Sequence, residues 1–210
     1  MEMKPLSSYR YPGLEAIEAV MQALPSNWTN VKKLVRITGL SEWRVRSSLA
    51  FLVTVGMVER KKRGRISFYR LVREWDLKSA FVESETFFWI LWSLLVRIPI
   101  KRRSWVEYAL KLAQEMGIAQ LGGEFLSEEG RREVLAAAIK KAYREVSNQG
   151  KPVPLSKIAD VLEEWGLSRE EFKKLVLGAM SQLGSAKIER IGESSKAGAD
   201  YLDLHYVILE

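Results

Sequence analysis

Lys61, Lys62, Arg63 and Arg65 crowd around Gly64, four cations within five positions. Such a cluster is suited to neutralising phosphates, and its spacing serves no covalent chemistry. The groups that covalent chemistry needs are scarce. The chain has no cysteine and one histidine, His205, which removes disulfides, thiolate-bound zinc and thiol nucleophiles, and with them most metal and general-base chemistry. No Gly-rich phosphate loop, zinc-ligand spacing or Ser/His/Asp arrangement is present. Glu163–Glu164 and Glu170–Glu171 read as helix-surface charges. The expectation is a protein that binds and does not catalyse, with no catalytic residue, no metal and no cofactor.

The charge is local. Residues 1–73 hold fourteen Lys and Arg against five Glu, a net +9, while the 210-residue chain carries +7, so residues 74–210 sum to −2. An apolar fraction of 47% beside 28% charged residues excludes general disorder. Sparse Asn and Gln among abundant Lys, Arg and Glu fit a thermophile's composition. The opening residues have no apolar signal core, and the run Phe87–Ile98 is too short for a bilayer span and is broken by Ser93 and Arg97. A cytoplasmic protein with no membrane partner is expected.

The elements that must position the cations follow from periodicity. Pro12–Gly13 opens a helix with Leu14, Ile17, Met21 and Leu24 on one stripe. Thr29 is placed to cap a short helix with Val31, Leu34 and Val35 inward and Lys32, Lys33 and Arg36 outward. Gly39 ends it and Ser41 caps the next, in which Val45, Leu49 and Leu52 point inward, until Gly56. Met57–Arg60 and Ile66–Leu71 then pair as a hairpin around Gly64. A helix-turn-helix followed by a basic hairpin puts one helix into a DNA major groove and a cationic finger beside it.

From Trp75 to Phe125 the chain reads as helical and aromatic, and the spacing Ser104–Glu107 predicts a helix start. Gly122–Gly123 marks a break. Ser127 is placed to cap a long helix with Val134, Leu135, Ala138, Ile139, Ala142 and Val146 inward. The first pattern then returns. Leu155, Ile158 and Val161 line a short helix; Gly166–Leu167–Ser168 stands for Gly39–Leu40–Ser41; Ser168–Glu171 has capping-box spacing; Gly184 ends that helix; Ile188–Arg190 matches Val58–Arg60. A strand over Tyr201–Leu209 would put Leu202, Leu204, Tyr206 and Ile208 on one face, with His205 on the other.

On Gly39–Leu40–Ser41, Val45, Leu49, Leu52, Gly56–Met57–Val58 and Phe68–Tyr69–Arg70–Leu71, the chain resembles the winged helix-turn-helix superfamily, in particular archaeal and bacterial transcription regulators. The resemblance implies a mainly α protein with small β-hairpin wings: a DNA-binding winged helix over 1–73, a helical aromatic connector over 74–125, and an acidic winged-helix-like domain over 126–210. It places Trp43, Arg44, Arg46 and Ser47 near double-stranded DNA, with Arg44 set for a bidentate guanine contact. Thr29, Asn30 and Lys33 would hold a phosphate at a helix start. Lys61, Lys62, Arg63 and Arg65 would take phosphates or an adjacent minor groove.

Residues 150–210 carry eight Lys and Arg against ten Asp and Glu, which favours a protein partner for that domain. Phe51, Val53, Phe88, Trp89 and Trp92 are candidates for a homodimer interface, with a connecting core as the alternative. The function this implies is dimeric transcriptional regulation. The alternative is a tandem winged-helix adaptor or architectural protein of a chromosome-maintenance or other multiprotein complex.

Overall fold

The computed structural model describes residues 10–72, 76–100, 104–120, 125–147, 151–179, 186–190, 202 and 205–209. The expected break at Gly122–Gly123, the helix end at Gly184 and the second hairpin tip (192–198) lie outside them. The described chain is mainly helical, with two small antiparallel sheets. It divides into two compact units: one takes in residues 1–94 and 98–127, the other 95–97 and 128–210.

In the first unit α1 (Leu14–Ala23) leads to the short strand β1 (Thr29–Asn30), then α2 (Val31–Thr38) and α3 (Glu42–Thr54). The strands β2 (Val58–Arg63) and β3 (Ile66–Leu71) follow as a hairpin. Residue Asn30, not Thr29, caps α2: its side chain accepts from the Lys33 amide at 3.0 Å. Gly39 ends α2 at φ 69°, a left-handed conformation that costs glycine nothing and other residues about 1 kcal/mol. Ser41 occupies the N-cap of α3 without making a side-chain cap bond. The inward residues of α1 are Ala16, Ile17 and Val20, with Leu24 just beyond, so its buried stripe is rotated from the one expected through Leu14 and Met21.

The sheet runs β1–β3–β2, all antiparallel, with β3 central. Arg60 faces Tyr69, Lys61 faces Phe68 and Arg63 faces Ile66 across the hairpin, which extends three residues further along β2 than expected. β1 escapes periodicity because two residues cannot display one.

Three more helices complete this unit: α4 (Leu77–Glu83), α5 (Glu85–Leu95) and α6 (Ser104–Glu115). Phe51 of α3 packs among Phe81, Phe87 and Tyr108, with ring centroids 6.1, 5.6 and 6.3 Å away. α3 is therefore buried along two stripes: Val45, Leu49 and Leu52 on one, Ser47, Ser48 and Phe51 on the other. Phe51, Phe88 and Trp92 are buried within the chain, so these interface candidates are core residues; Trp89 alone of that group is substantially exposed, at 42%.

The second unit repeats the order. It comprises α7 (Glu128–Val146), β4 (Val153–Pro154), α8 (Leu155–Glu164), α9 (Arg169–Ala179), β5 (Ala186–Arg190) and β6 (His205–Leu209), with sheet order β4–β6–β5. Ser127 precedes α7, and its hydroxyl donates to the Gly117 carbonyl. The capping box at Ser168 does form: its hydroxyl meets Glu171 Oε2 at 2.7 Å and accepts from the Glu171 amide at 3.3 Å. The Ser168 hydroxyl and amide hold the Glu171 carboxyl below the usual carboxylate range. In β6 Val207 is buried while His205 and Tyr206 are half-buried, and Leu202, also buried, lies outside the strand.

Candidate nucleic-acid interface

The hairpin tip carries its cations into solvent. Lys61, Lys62, Arg63 and Arg65 are all exposed on the β2–Gly64–β3 turn, where Gly64 takes φ 58°. The base of the hairpin is fixed by one row of side chains spanning three strands. Arg70, on central β3, pairs with Glu59 of β2 at 2.6 Å and lies 4.9 Å from the ring centroid of Trp28, which immediately precedes β1. Lys61 reaches the same ring at 5.9 Å. A guanidinium held by both a carboxylate and an indole face makes a directed anchor. The hairpin thus projects its tip from a tied base.

The outward stripe of α3 is narrower than expected. At 3.6 residues per turn Glu42, Trp43, Arg46 and Ala50 share one side, and Trp43 is 48% exposed. Arg46 is exposed and its guanidinium meets Glu42 Oε1 at 2.5 Å. Arg44 and Ser47 turn to the other side. Arg44 Nε donates to the Pro12 carbonyl at 3.1 Å, tying α3 to the residues before α1, so in this structure it serves as a strut. Ser47 is 2% exposed and cannot reach a nucleic acid. The two share a side of the helix: residues 44, 47, 48 and 51 recur at helical spacing, with Ser47, Ser48 and Phe51 buried and Arg44 half-buried at its end.

Thr29 is likewise buried, on the inward face of β1 opposite Tyr69. The Asn30 side chain is spent on the Lys33 amide, so that amide already has its acceptor. The Lys33 side chain remains exposed, beside Lys32 and Arg36. Val53 is half-buried at the far end of α3. Of the expected contacts, Lys33, Trp43, Arg46, Lys61, Lys62, Arg63 and Arg65 are exposed, and Lys32 and Arg36 of α2 lie at the surface with them. Trp28, Arg60 and Arg70 were missed. Arg60 donates to the Ser67 hydroxyl at 3.1 and 3.3 Å. The signal for Trp28 and Arg70 was the strand alternation itself, once β1 is added to the sheet.

No family model and no curated protein sequence matches the chain.

In the second unit the corresponding helix α9 opens with Arg169, Glu170 and Glu171, all exposed. Arg169 is drawn back to α8, bonding Asp160 at 3.1 Å. Leu177, further along α9, is 53% exposed. The first turn of α9 therefore presents two carboxylates, with Lys174 and Leu177 exposed further along, where α3 and the hairpin of the first unit are basic. Among the described residues no helix is long and apolar enough to cross a membrane.

Proposed function

We propose that the first unit is a winged helix-turn-helix that binds double-stranded DNA, and that the protein is a transcriptional regulator. The observation that carries this reading is the exposed cationic hairpin tip, anchored at its base by the Glu59–Arg70–Trp28 row. The first two turns of α3 offer Trp43 and Arg46 to a groove, and Lys32, Lys33 and Arg36 of α2 supply further phosphate contacts. Arg46 reads or positions only after leaving Glu42, an exposed exchange that costs little. The second unit, a second winged helix in this reading, makes protein contacts: its acidic α9 start repels phosphate, and exposed Leu177 suits a protein surface. That observation equally favours the adaptor role for the second unit. Trp89 is the residue through which a homodimer would form.

The test is binding to a pool of genomic fragments across a salt series, for the wild type and for K61A/K62A/R63A/R65A. Enrichment of particular fragments, with a log–log salt slope shallower by about 3–4 units in the variant, is expected at roughly 0.9 per phosphate contact. Equal, weak binding by both proteins at low salt refutes the reading.

A further inference from the structure

The outward face of the first sheet does not look like a solvated face. In an antiparallel sheet packed on one side, the residues pointing outward are normally polar. Register and alternation put Trp28, Asn30, Glu59, Lys61, Arg63, Ile66, Phe68 and Arg70 on this side, because Thr29 and Tyr69 point inward and are buried. Central β3 therefore presents Phe68 and Ile66 outward; Ile66 is 55% exposed and Phe68 is half-buried with its outer part at the surface. Lys61 stands directly opposite Phe68, and Arg63 opposite Ile66. The one acid of the face, Glu59, is neutralised by Arg70.

We propose that this face binds an unpaired stretch of DNA, with bases stacking on Phe68 and against Ile66 while Lys61 and Arg63 hold the phosphates. Flat apolar surface interleaved with cations is what a single strand needs. Every base has an exposed π-face once unpaired, and the backbone supplies a charge per nucleotide. A duplex keeps its bases stacked on one another and offers nothing to Phe68. The ligand class that follows is duplex DNA with an adjoining single-stranded segment. This rests on the proposed function only in taking the first unit as the nucleic-acid-binding part. It adds a surface distinct from α3.

The experiment compares three labelled DNAs: a blunt duplex, the duplex with a ten-thymidine overhang, and the duplex with an abasic overhang of the same length and charge. Each is titrated with wild type and with F68A/I66A, after circular dichroism and thermal melting show the variant folded. The thymidine overhang is expected to bind about tenfold tighter than the abasic one, as one stacked base would give. F68A/I66A is expected to erase that difference and leave blunt-duplex affinity unchanged. Equal affinity of the wild type for thymidine and abasic overhangs overturns the proposal while leaving duplex binding intact; this is also the outcome if the face serves a protein partner. A difference that persists in F68A/I66A places the stacking elsewhere and overturns it as well. Should the overhang preference appear without any blunt-duplex binding, the inference stands and the duplex-regulator reading falls.

Discussion

Arg44 shows how much one contact changes a residue's meaning. An outward arginine in the first turns of a groove-binding helix suggests base recognition, yet its guanidinium donates to the Pro12 carbonyl and fixes the approach to α1. Arg44→Ala should lower stability by about 1 kcal/mol, the net worth of a half-buried charged hydrogen bond, while duplex affinity at temperatures where the variant is folded stays within about twofold. Urea unfolding and a duplex titration check the two halves separately. Tyr108 and Tyr11 make the other residue-scale case. Their rings meet edge-on at 5.1 Å, and burial pushes both hydroxyls well above the ordinary 10.0, with the Glu115 carboxylate adding to the effect on Tyr11. A raised value in the folded state means that stability from these groups is complete below pH 10 and is lost as the pH climbs above it. Tyrosinate absorbance should therefore appear for these two residues together with unfolding, not before it. Early titration of both would show that neither is held in the core.

At the level of elements, α3 is the pivot of the first unit, buried against α1 and α2 on one side and against α4, α5 and α6 on the other. Truncating Phe51 to Ala removes the ring that joins those sides and should cost about 3–5 kcal/mol, read as a fall in melting temperature. The stripe through Val45, Leu49 and Leu52 was legible in the sequence because it is uniformly aliphatic. The second stripe was not: Ser47 and Ser48 look like surface residues, and their burial comes from helices whose sequence lies tens of residues away. The same limit applies to the sheets. The hairpin announced itself through Gly64 and its flanking alternation, but β1 and β4 are two residues long and become strands only by pairing with β3 and β6. Of the expected site, the hairpin tip was readable because charge on an exposed turn needs no partner to explain it. Ser47 and Thr29 were misassigned, and the Pro12 contact of Arg44 went unseen, because their environments depend on the fold.

For the molecule as a whole, the repeated order of helices and strands and the matching sheet orders show why the Gly39–Leu40–Ser41 and Gly166–Leu167–Ser168 turns stood out in the sequence. Both glycines sit at positive φ, 69° and 93°, so the same backbone demand is met twice. The surfaces diverge where the frameworks agree, with cations on the first hairpin and carboxylates on α9. A fragment of residues 1–127 contains all of the first unit and three residues of the second, and it should fold cooperatively and keep the full salt slope for duplex binding. A fragment of residues 128–210 should show no salt-dependent DNA binding. The reverse distribution, measured by the same titrations, would move the DNA surface to the second unit.

The carboxylate of Glu115 accepts from the Leu14 amide at 2.8 Å, joining the first turn of α1 to the last residue of α6. During synthesis that partner arrives late. Leu71 ends the hairpin, and Glu115 is added 44 residues later, about 2–9 s at 5–20 residues per second. Over that interval α4, α5 and α6 are added in turn, and Phe51 lacks its full set of aromatic neighbours until Tyr108 has followed Phe81 and Phe87. The nascent chain thus carries an apolar side that a chaperone can grip and that closes only when translation has moved past α6.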